Sequence, residues 1–92
     1  MIDFDLAIEL KRAGYPQTIC DPKKLDIDIE KNYSSVCLPD TDDLLEQLGD
    51  EFKSLELSGG GWFAVGKDLT WKEGKSPVEA LARLWIALKG VE

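Results

Sequence analysis

The sequence contains no histidine and only two cysteines, Cys20 and Cys37. Without histidine, the chain cannot build a histidine-containing zinc site, a histidine-based catalytic triad or a histidine general base. Two cysteines at this spacing match neither a disulfide framework nor a metal site. We therefore expect no metal, no cofactor and two reduced thiols, with a Cys20–Cys37 disulfide as the alternative if the protein is exported.

The sequence also lacks long apolar runs and an excess of positive charge. No apolar stretch approaches the roughly 20 residues that span a bilayer, and the acidic start differs from the basic start of a signal peptide. Lysine and arginine number 11 against 18 aspartates and glutamates, which gives a net charge of −7. Because nucleic acids and anionic lipids are bound by basic surfaces, we expect no direct nucleic-acid binding, no membrane binding and a cytoplasmic location.

The composition that remains is that of an ordinary globular protein. With 43% hydrophobic and 32% charged residues, the 92-residue chain is predicted to fold as a single domain over residues 1–92. Its C-terminal segment has the clearest pattern, with Ser76 as N-cap, Pro77 at the first helical position and Glu79 completing a capping box. Gly90 is predicted to end this helix in the left-handed conformation. Apolar residues recur between these ends on one face, namely Val78, Leu81, Ala82, Leu84, Trp85 and Leu88.

Two more helices are predicted in the N-terminal half of the chain, over residues 3–13 and from Thr41 to Leu48, the second capped by Asp40. The period of the apolar residues then changes from that of a helix to that of a strand. This change predicts an antiparallel meander of two or three strands, over residues 54–58, 62–65 and 69–72. The predicted fold class is therefore α+β, with the amphipathic C-terminal helix packed on the sheet.

Residues 18–38 have a less regular pattern, typical of an irregular or edge-strand segment. Apolar and acidic residues alternate over residues 25–30, which indicates an exposed strand with an acidic outer row, and a second short strand is predicted over residues 33–38. The acidic residues have the opening spacing of a calcium loop. However, Lys31 and Cys37 stand where that loop requires glycine and glutamate, so we predict no calcium site.

Gly74-Lys75-Ser76, ahead of the last helix, is similar to the end of a phosphate-binding loop. The complete motif needs a glycine five residues before Gly74, where this chain has Leu69, and Pro77 removes a helix N–H group. Acidic residues near the second helix are explained by helix capping rather than by acid–base catalysis. We predict no nucleotide site, no catalytic residue and no enzymatic activity.

The tryptophans are a better guide to function. If Phe63 and Val65 point into the core, Trp62 lies on the outer face of the sheet, where Trp71 can join it across the strands. Large outward-facing aromatic side chains often mark an interface. Trp62, Trp71 and the acidic Glu56 are therefore the candidate partner contacts. The alternative is that the first two helices cover this face as well.

Several segments are similar in sequence and order to a family of small uncharacterised proteins encoded in phages and prophages. The similarity leaves out residues 18–38, and the matching residues are caps, turns and core positions with no catalytic residue among them. The resemblance implies a phage or prophage accessory protein in a bacterial host cell. The segments that carry it are Leu10-Lys11-x-Ala13-Gly14-Tyr15-Pro16-Gln17, residues 39–50, Phe52-x-x-Leu55, Gly61-Trp62-x-Ala64 and Ser76-Pro77-x-Glu79-Ala80-x-Ala82-Arg83-Leu84-Trp85-x-Ala87-Leu88.

Together, these observations favour an accessory protein that acts without catalysis, by binding a host or phage protein. The net charge of −7 also permits mimicry of nucleic acid towards basic host proteins. One alternative is a small-molecule binder or minor enzyme with a pocket between helix and sheet. Another is a self-associating domain, such as a homodimer, whose exposed aromatic residues form its own interface.

Overall fold

The computed structural model describes residues 2–16, 25–28 and 34–90, and every structural statement below concerns these residues. Helices and antiparallel strands are present together, so the fold class is α+β, as predicted. A short 3-10 turn, Gly49–Glu51, leads into the third strand. In chain order the elements are α1 (Phe4–Arg12), β1 (Leu25–Asp28), β2 (Ser34–Cys37), α2 (Thr41–Leu48), β3 (Phe52–Ser58), β4 (Gly61–Gly66), β5 (Trp71–Gly74) and α3 (Pro77–Lys89).

The first two helices form where the sequence predicts them. In α2, the Asp43 N–H donates to the Asp40 carboxylate at 3.1 Å, and the Asp40 N–H donates to the Asp43 carboxylate at 3.1 Å. This reciprocal capping box begins α2 at Thr41, and the helix ends at Leu48, as predicted. α1 lies within the predicted residues 3–13 and is followed by Gly14, which has a positive φ of 102°.

α3 begins at Pro77 with Ser76 as its N-cap, as predicted. However, the Glu79 carboxylate bonds the Lys75 N–H where the predicted capping box has the Ser76 N–H, and the helix ends differently. The Glu79 N–H donates to the Ser76 hydroxyl at 3.2 Å, while the Glu79 carboxylate accepts from the Lys75 N–H at 2.8 Å. At the other end, Gly90 has φ −66°, so the prediction of a left-handed C-cap is wrong. Glycine is required there for space instead, because a Cβ atom would collide with the carbonyl oxygen of Ile86.

The predicted meander is formed by β3, β4 and β5, paired antiparallel in that order. Gly59 and Gly60 have φ values of 58° and 82°, the positive values that a tight type I′ hairpin requires. In the second turn, Leu69 has φ 70°, a conformation that excludes it from the strand in which it was predicted. The Asp68 carboxylate accepts from the Thr70 N–H at 3.0 Å within this turn, and β5 begins only at Trp71.

One face of this sheet lies against α3, and we call it the inner face. Trp62 pairs with Gly74 across β4 and β5, and directly opposed residues share a face. A Cβ atom at Gly74 would lie 2.5 Å from the backbone nitrogen of Ala80 in α3, so Gly74 points at that helix. Ala64 and Gly66 follow Trp62 at two-residue spacing and are buried on the same face.

The core fills the space between α3, the other two helices and the inner face of the sheet. Leu81 and Trp85 are buried, as predicted, whereas Leu88 is only partly buried at the end of the helix. The largest fully buried side chains come from all three helices, from β2 and from the segment between β2 and α2. They are Leu10, Val36, Pro39, Leu44, Leu48, Leu81 and Leu84.

Polar contacts also attach α3 to its neighbours. Arg83 forms an ion pair with Glu79 at 2.8 Å and donates to the backbone oxygen of Glu73 in β5 at 2.9 Å. Lys89 donates to the backbone oxygen of Gln47 in α2 at 2.7 Å. The long cationic side chains of this helix therefore bridge it to the sheet on one side and to α2 on the other.

β1 and β2 form a separate antiparallel pair, in which Leu25 is opposite Cys37 and Asp28 is opposite Ser34. The side chains of the acidic row predicted over residues 25–30 lie outside the described part of the chain. Cys37 is buried and disulfide-bonded, so the expectation of a reduced thiol is wrong at this residue. Sequence spacing could not show this bond, because pairing depends on proximity in space. Cys20 lies outside the described residues.

No helix within the described ranges has the length and apolar character needed to cross a membrane.

Candidate partner-binding surface

The second face of the meander, which we call the outer face, carries the most exposed aromatic residue among those described. Trp71 is 57% exposed and pairs with Val65 across β4 and β5, so both side chains lie on this face. Phe63 precedes Val65 by two residues and shares the face. Its ring lies 5.6 Å from that of Trp71, between centroids, at an interplanar angle of 55°. The outer face therefore presents a contiguous apolar surface of Phe63, Val65 and Trp71.

Two glutamates flank this apolar surface. Phe63 is directly opposite Glu56 of β3 on one side and Glu73 of β5 on the other. A Cβ atom at Gly61 would lie 3.0 Å from a carboxylate oxygen of Glu73, which places that carboxylate above Gly61 on the outer face. Neither glutamate forms an ion pair with another described residue. The other β3 positions that the register assigns to this face, Ser54 and Ser58, are uncharged, and Lys53 lies before them at a β-bulge.

Within the described residues, no helix packs extensively on the outer face. α3 makes the substantial helix contacts with β4 and β5, and it lies on the inner face. α1 and α2 make their most extensive contacts with α3, and α1 also contacts β2. The alternative in which the first two helices cover the second face of the sheet is therefore wrong for the described helices.

The prediction that Trp62 points outward is wrong, because the two faces of β4 are reversed. Trp62 is partly buried and packs against the core on the inner face, whereas Phe63 and Val65 lie on the outer face. Trp71 and Glu56 do lie on the outer face, as candidate contacts of the predicted kind. Phe63, Val65 and Glu73 are the members of this surface that the sequence reasoning missed.

A signal for the correct faces is present in the sequence. Ala64, Gly66 and Gly74 are small residues at positions that share one face of the paired strands, and small residues allow a helix to approach closely. Phe63 and Val65 are too large for the face that α3 approaches so closely, so the prediction that they point into the core is wrong. The size pattern along β4 and β5 would have indicated which face the helix covers.

Two surface cavities are alternative sites. One, of about 330 Å³, lies beside the β4–β5 turn and the end of α3 and is lined by Glu51, Lys67, Asp68 and Leu88. The hydrogen bonds that Asp68 accepts from the backbone and side chain of Thr70 hold the pKa of its carboxyl below the usual range. That carboxylate therefore has a structural role in the turn. The second cavity, of about 240 Å³, is lined by Glu9, Lys72, Arg83, Ile86 and Ala87.

Among the residues that the structure describes, one buried side-chain polar atom has no hydrogen-bond partner, namely the Trp85 indole nitrogen. Trp85 is 4% exposed and contacts the Tyr15 ring edge-on, with ring centroids 5.1 Å apart. The indole therefore lies in the core between α1 and α3, away from the outer face. Among residues 2–16, 25–28 and 34–90, no group of three or more cysteine, aspartate or glutamate side chains is arranged to hold a metal ion.

Comparison of the chain with protein-family models finds no match, and comparisons with curated proteins and with solved structures find none either. No residue role can therefore be carried over from a relative. The resemblance to phage and prophage proteins stays a prediction.

Proposed function

We propose that this protein acts without catalysis, as a protein-binding domain whose outer face contacts a partner protein with a basic and apolar surface. The observation that carries the proposal is the exposed Trp71 ring, which lies beside the Phe63 ring on a sheet face that no described helix covers. Exposed aromatic clusters of this kind are typical of interface centres, where tryptophan and arginine contribute most of the binding energy.

Charge complementarity supports a basic partner. The positions that the strand register assigns to the outer face carry Glu56 and Glu73 and no lysine or arginine, while Lys53 lies at the β-bulge between Phe52 and Ser54. The chain as a whole has a net charge of −7. An acidic surface steers a basic partner towards it and repels an acidic one.

The same charges weigh against a second copy of this chain as the partner. In a symmetric dimer built on the outer face, Glu56 and Glu73 of one copy would meet those of the other. Like charges at an interface destabilise it, and none of the positions that the register assigns to this face carries a cation to compensate them. The phage or prophage setting adds the proposal that the partner is a host or phage protein in a bacterial cell.

A small molecule bound beside Leu88 is a second candidate function, which the cavity of about 330 Å³ favours. Its volume is at the lower limit for a ligand site, and three of the residues that line it, Glu51, Lys67 and Asp68, are charged. The outer face is the better candidate because its exposed groups are aromatic and contiguous.

Photo-crosslinking tests the proposal in the cells that produce the protein. A benzophenone amino acid replaces Trp71 in one variant and Leu57 in the control. Leu57 is 64% exposed but lies opposite the inner-face residue Trp62, so it reports on another surface. We expect one protein to be crosslinked from position 71 and not from position 57.

The purified partner then gives a quantitative test. Trp71→Ala should weaken its binding by about 30-fold, as expected for a central interface tryptophan. Leu57→Ala should bind as the unmodified protein does, and added salt should weaken binding because it screens charge attraction. Equal affinity of the Trp71→Ala variant, or a partner crosslinked equally from both positions, would contradict the proposal.

A further inference from the structure

We infer that the outer face contains a receptor for one cationic side chain of the partner, an arginine, formed by Phe63, Trp71, Glu56 and Glu73. This inference rests on the proposed function, since it assigns the chemistry by which that partner is recognised. It adds a specific ligand group and a specific position over the ring of Phe63.

The strand register places Phe63 between two carboxylates. Glu56, Phe63 and Glu73 are opposed in one row across β3, β4 and β5. Adjacent strands lie about 4.8 Å apart, so the backbones that carry the two glutamates are about 10 Å apart, with the aromatic ring between them. A planar cation that lies on this ring is within reach of both carboxylates.

The Trp71 ring lies beside this position. Trp71 belongs to the next row, opposite Val65, and its ring is diagonal to that of Phe63, with centroids 5.6 Å apart. The angle of 55° between the rings leaves a corner rather than a flat stack. Aromatic faces attract cations, and tryptophan does so most strongly, so a cation in this corner contacts two favourable groups.

The carboxylates are available for a ligand. The Glu73 carboxylate lies above Gly61, two residues from Phe63 along β4. Arg83 contacts Glu73 through the backbone oxygen only, and forms its ion pair with Glu79. No described cation neutralises Glu56 or Glu73. Two unpaired carboxylates beside an aromatic pair repel anions and attract a cation.

An arginine fits this arrangement better than a lysine does. Guanidinium is planar and stacks on aromatic rings, and its five N–H donors can reach a carboxylate on either side at the same time. An ammonium group is a compact and strongly hydrated charge, which gains less from the ring and can reach fewer acceptors.

A titration monitored by amide NMR tests this inference with the intact protein and a defined probe, N-acetyl-arginine amide. We expect signal changes centred on Phe63, Glu73 and the Trp71 indole. N-acetyl-citrulline amide is the matched control because it has the same shape without the charge, and it should cause no such changes. The double variant Glu56→Gln, Glu73→Gln should lower the arginine affinity by about tenfold, since it removes both charged acceptors.

The double variant Asp42→Asn, Glu46→Gln, at two exposed positions of α2, also removes two negative charges, so it provides the control for net charge and should leave the affinity unchanged. Equal responses to arginine and citrulline, an unchanged affinity in the variant that lacks both outer-face glutamates, or changes centred outside the outer face would overturn the receptor. The proposed function is tested separately, by the binding of the partner protein to the Trp71→Ala variant. If that variant loses the partner while arginine does not bind, the surface is correct and the receptor is wrong.

Discussion

Replacing Gly74 with alanine tests the packing of α3 on the inner face. This packing is the reason that Phe63 and Trp71 lie on the outer face. The new Cβ atom would lie 2.5 Å from the Ala80 nitrogen, 2.9 Å from the Glu79 carbonyl carbon and 3.0 Å from the Ala80 Cα. All three atoms belong to the backbone of the first turns of α3, so no side chain can rotate away. The helix must move from the sheet instead.

The expected loss follows from this geometry. Overpacking a close contact costs about 1–3 kcal/mol, and contact with three backbone atoms places this case near the upper limit. Alanine regains roughly 0.5–1 kcal/mol because it restricts the unfolded chain more than glycine does. We therefore expect Gly74→Ala to lower the free energy of unfolding by about 2 kcal/mol, and Tm by roughly 10–15 °C for a domain of this size.

Gly61→Ala is the matched control on the opposite face of the same sheet. Its Cβ atom would first meet a carboxylate oxygen of Glu73, which lies at the end of a flexible side chain and can move. We expect its Tm to differ from that of the unmodified protein by less than about 4 °C. Thermal and urea unfolding followed by circular dichroism measure both variants. Similar Tm values for the two variants would show that α3 does not pack where the structure places it.

Three further predictions concern the core and the β4–β5 turn. Trp85→Ala should cost about 3–5 kcal/mol of unfolding free energy in urea titrations, while Trp85→Phe should cost under about 1.5 kcal/mol because it also removes the unpaired indole N–H. Leu69→Asn should stabilise the protein by about 0.5–1 kcal/mol in the same assay, since asparagine tolerates the positive φ of 70° and the leucine side chain is 65% exposed. Because the pKa of Asp68 is lower in the folded protein, its ionised carboxylate stabilises the turn at pH values above the pKa that Asp68 has in the unfolded chain. This stabilisation is lost as the pH falls through the lower pKa of the folded protein. A carboxyl NMR titration should find the Asp68 pKa lower in the folded protein than in urea, and an equal value would contradict this role.

Helix-capping residues and turn glycines explain why much of the fold could be predicted. The capping residues Asp40 and Ser76 act on the backbone next to them, so the starts of α2 and α3 follow from a few neighbouring residues. Gly59 and Gly60 likewise specify the hairpin between β3 and β4 through their own backbone conformation. The α+β class follows from these elements and from the apolar residues of the last helix.

The features that could not be predicted depend on contacts between distant residues. The choice of face in β4 is determined by how closely α3 approaches Gly74, and neither segment shows this alone. The sequence therefore predicts exposed aromatic residues on the meander, but with Trp62 in place of Phe63. The disulfide at Cys37 likewise depends on which groups meet in space.

The three indole N–H signals in an NMR spectrum of the complex test the central claim most directly, because they report on three different environments. Trp71 lies on the outer face, Trp62 on the inner face and Trp85 in the core. When the partner protein is added, we predict that the Trp71 signal shifts and becomes protected from a dissolved paramagnetic probe, while the other two keep their positions. A complex in which the Trp71 signal and its exposure to the probe remain unchanged would contradict binding through the outer face.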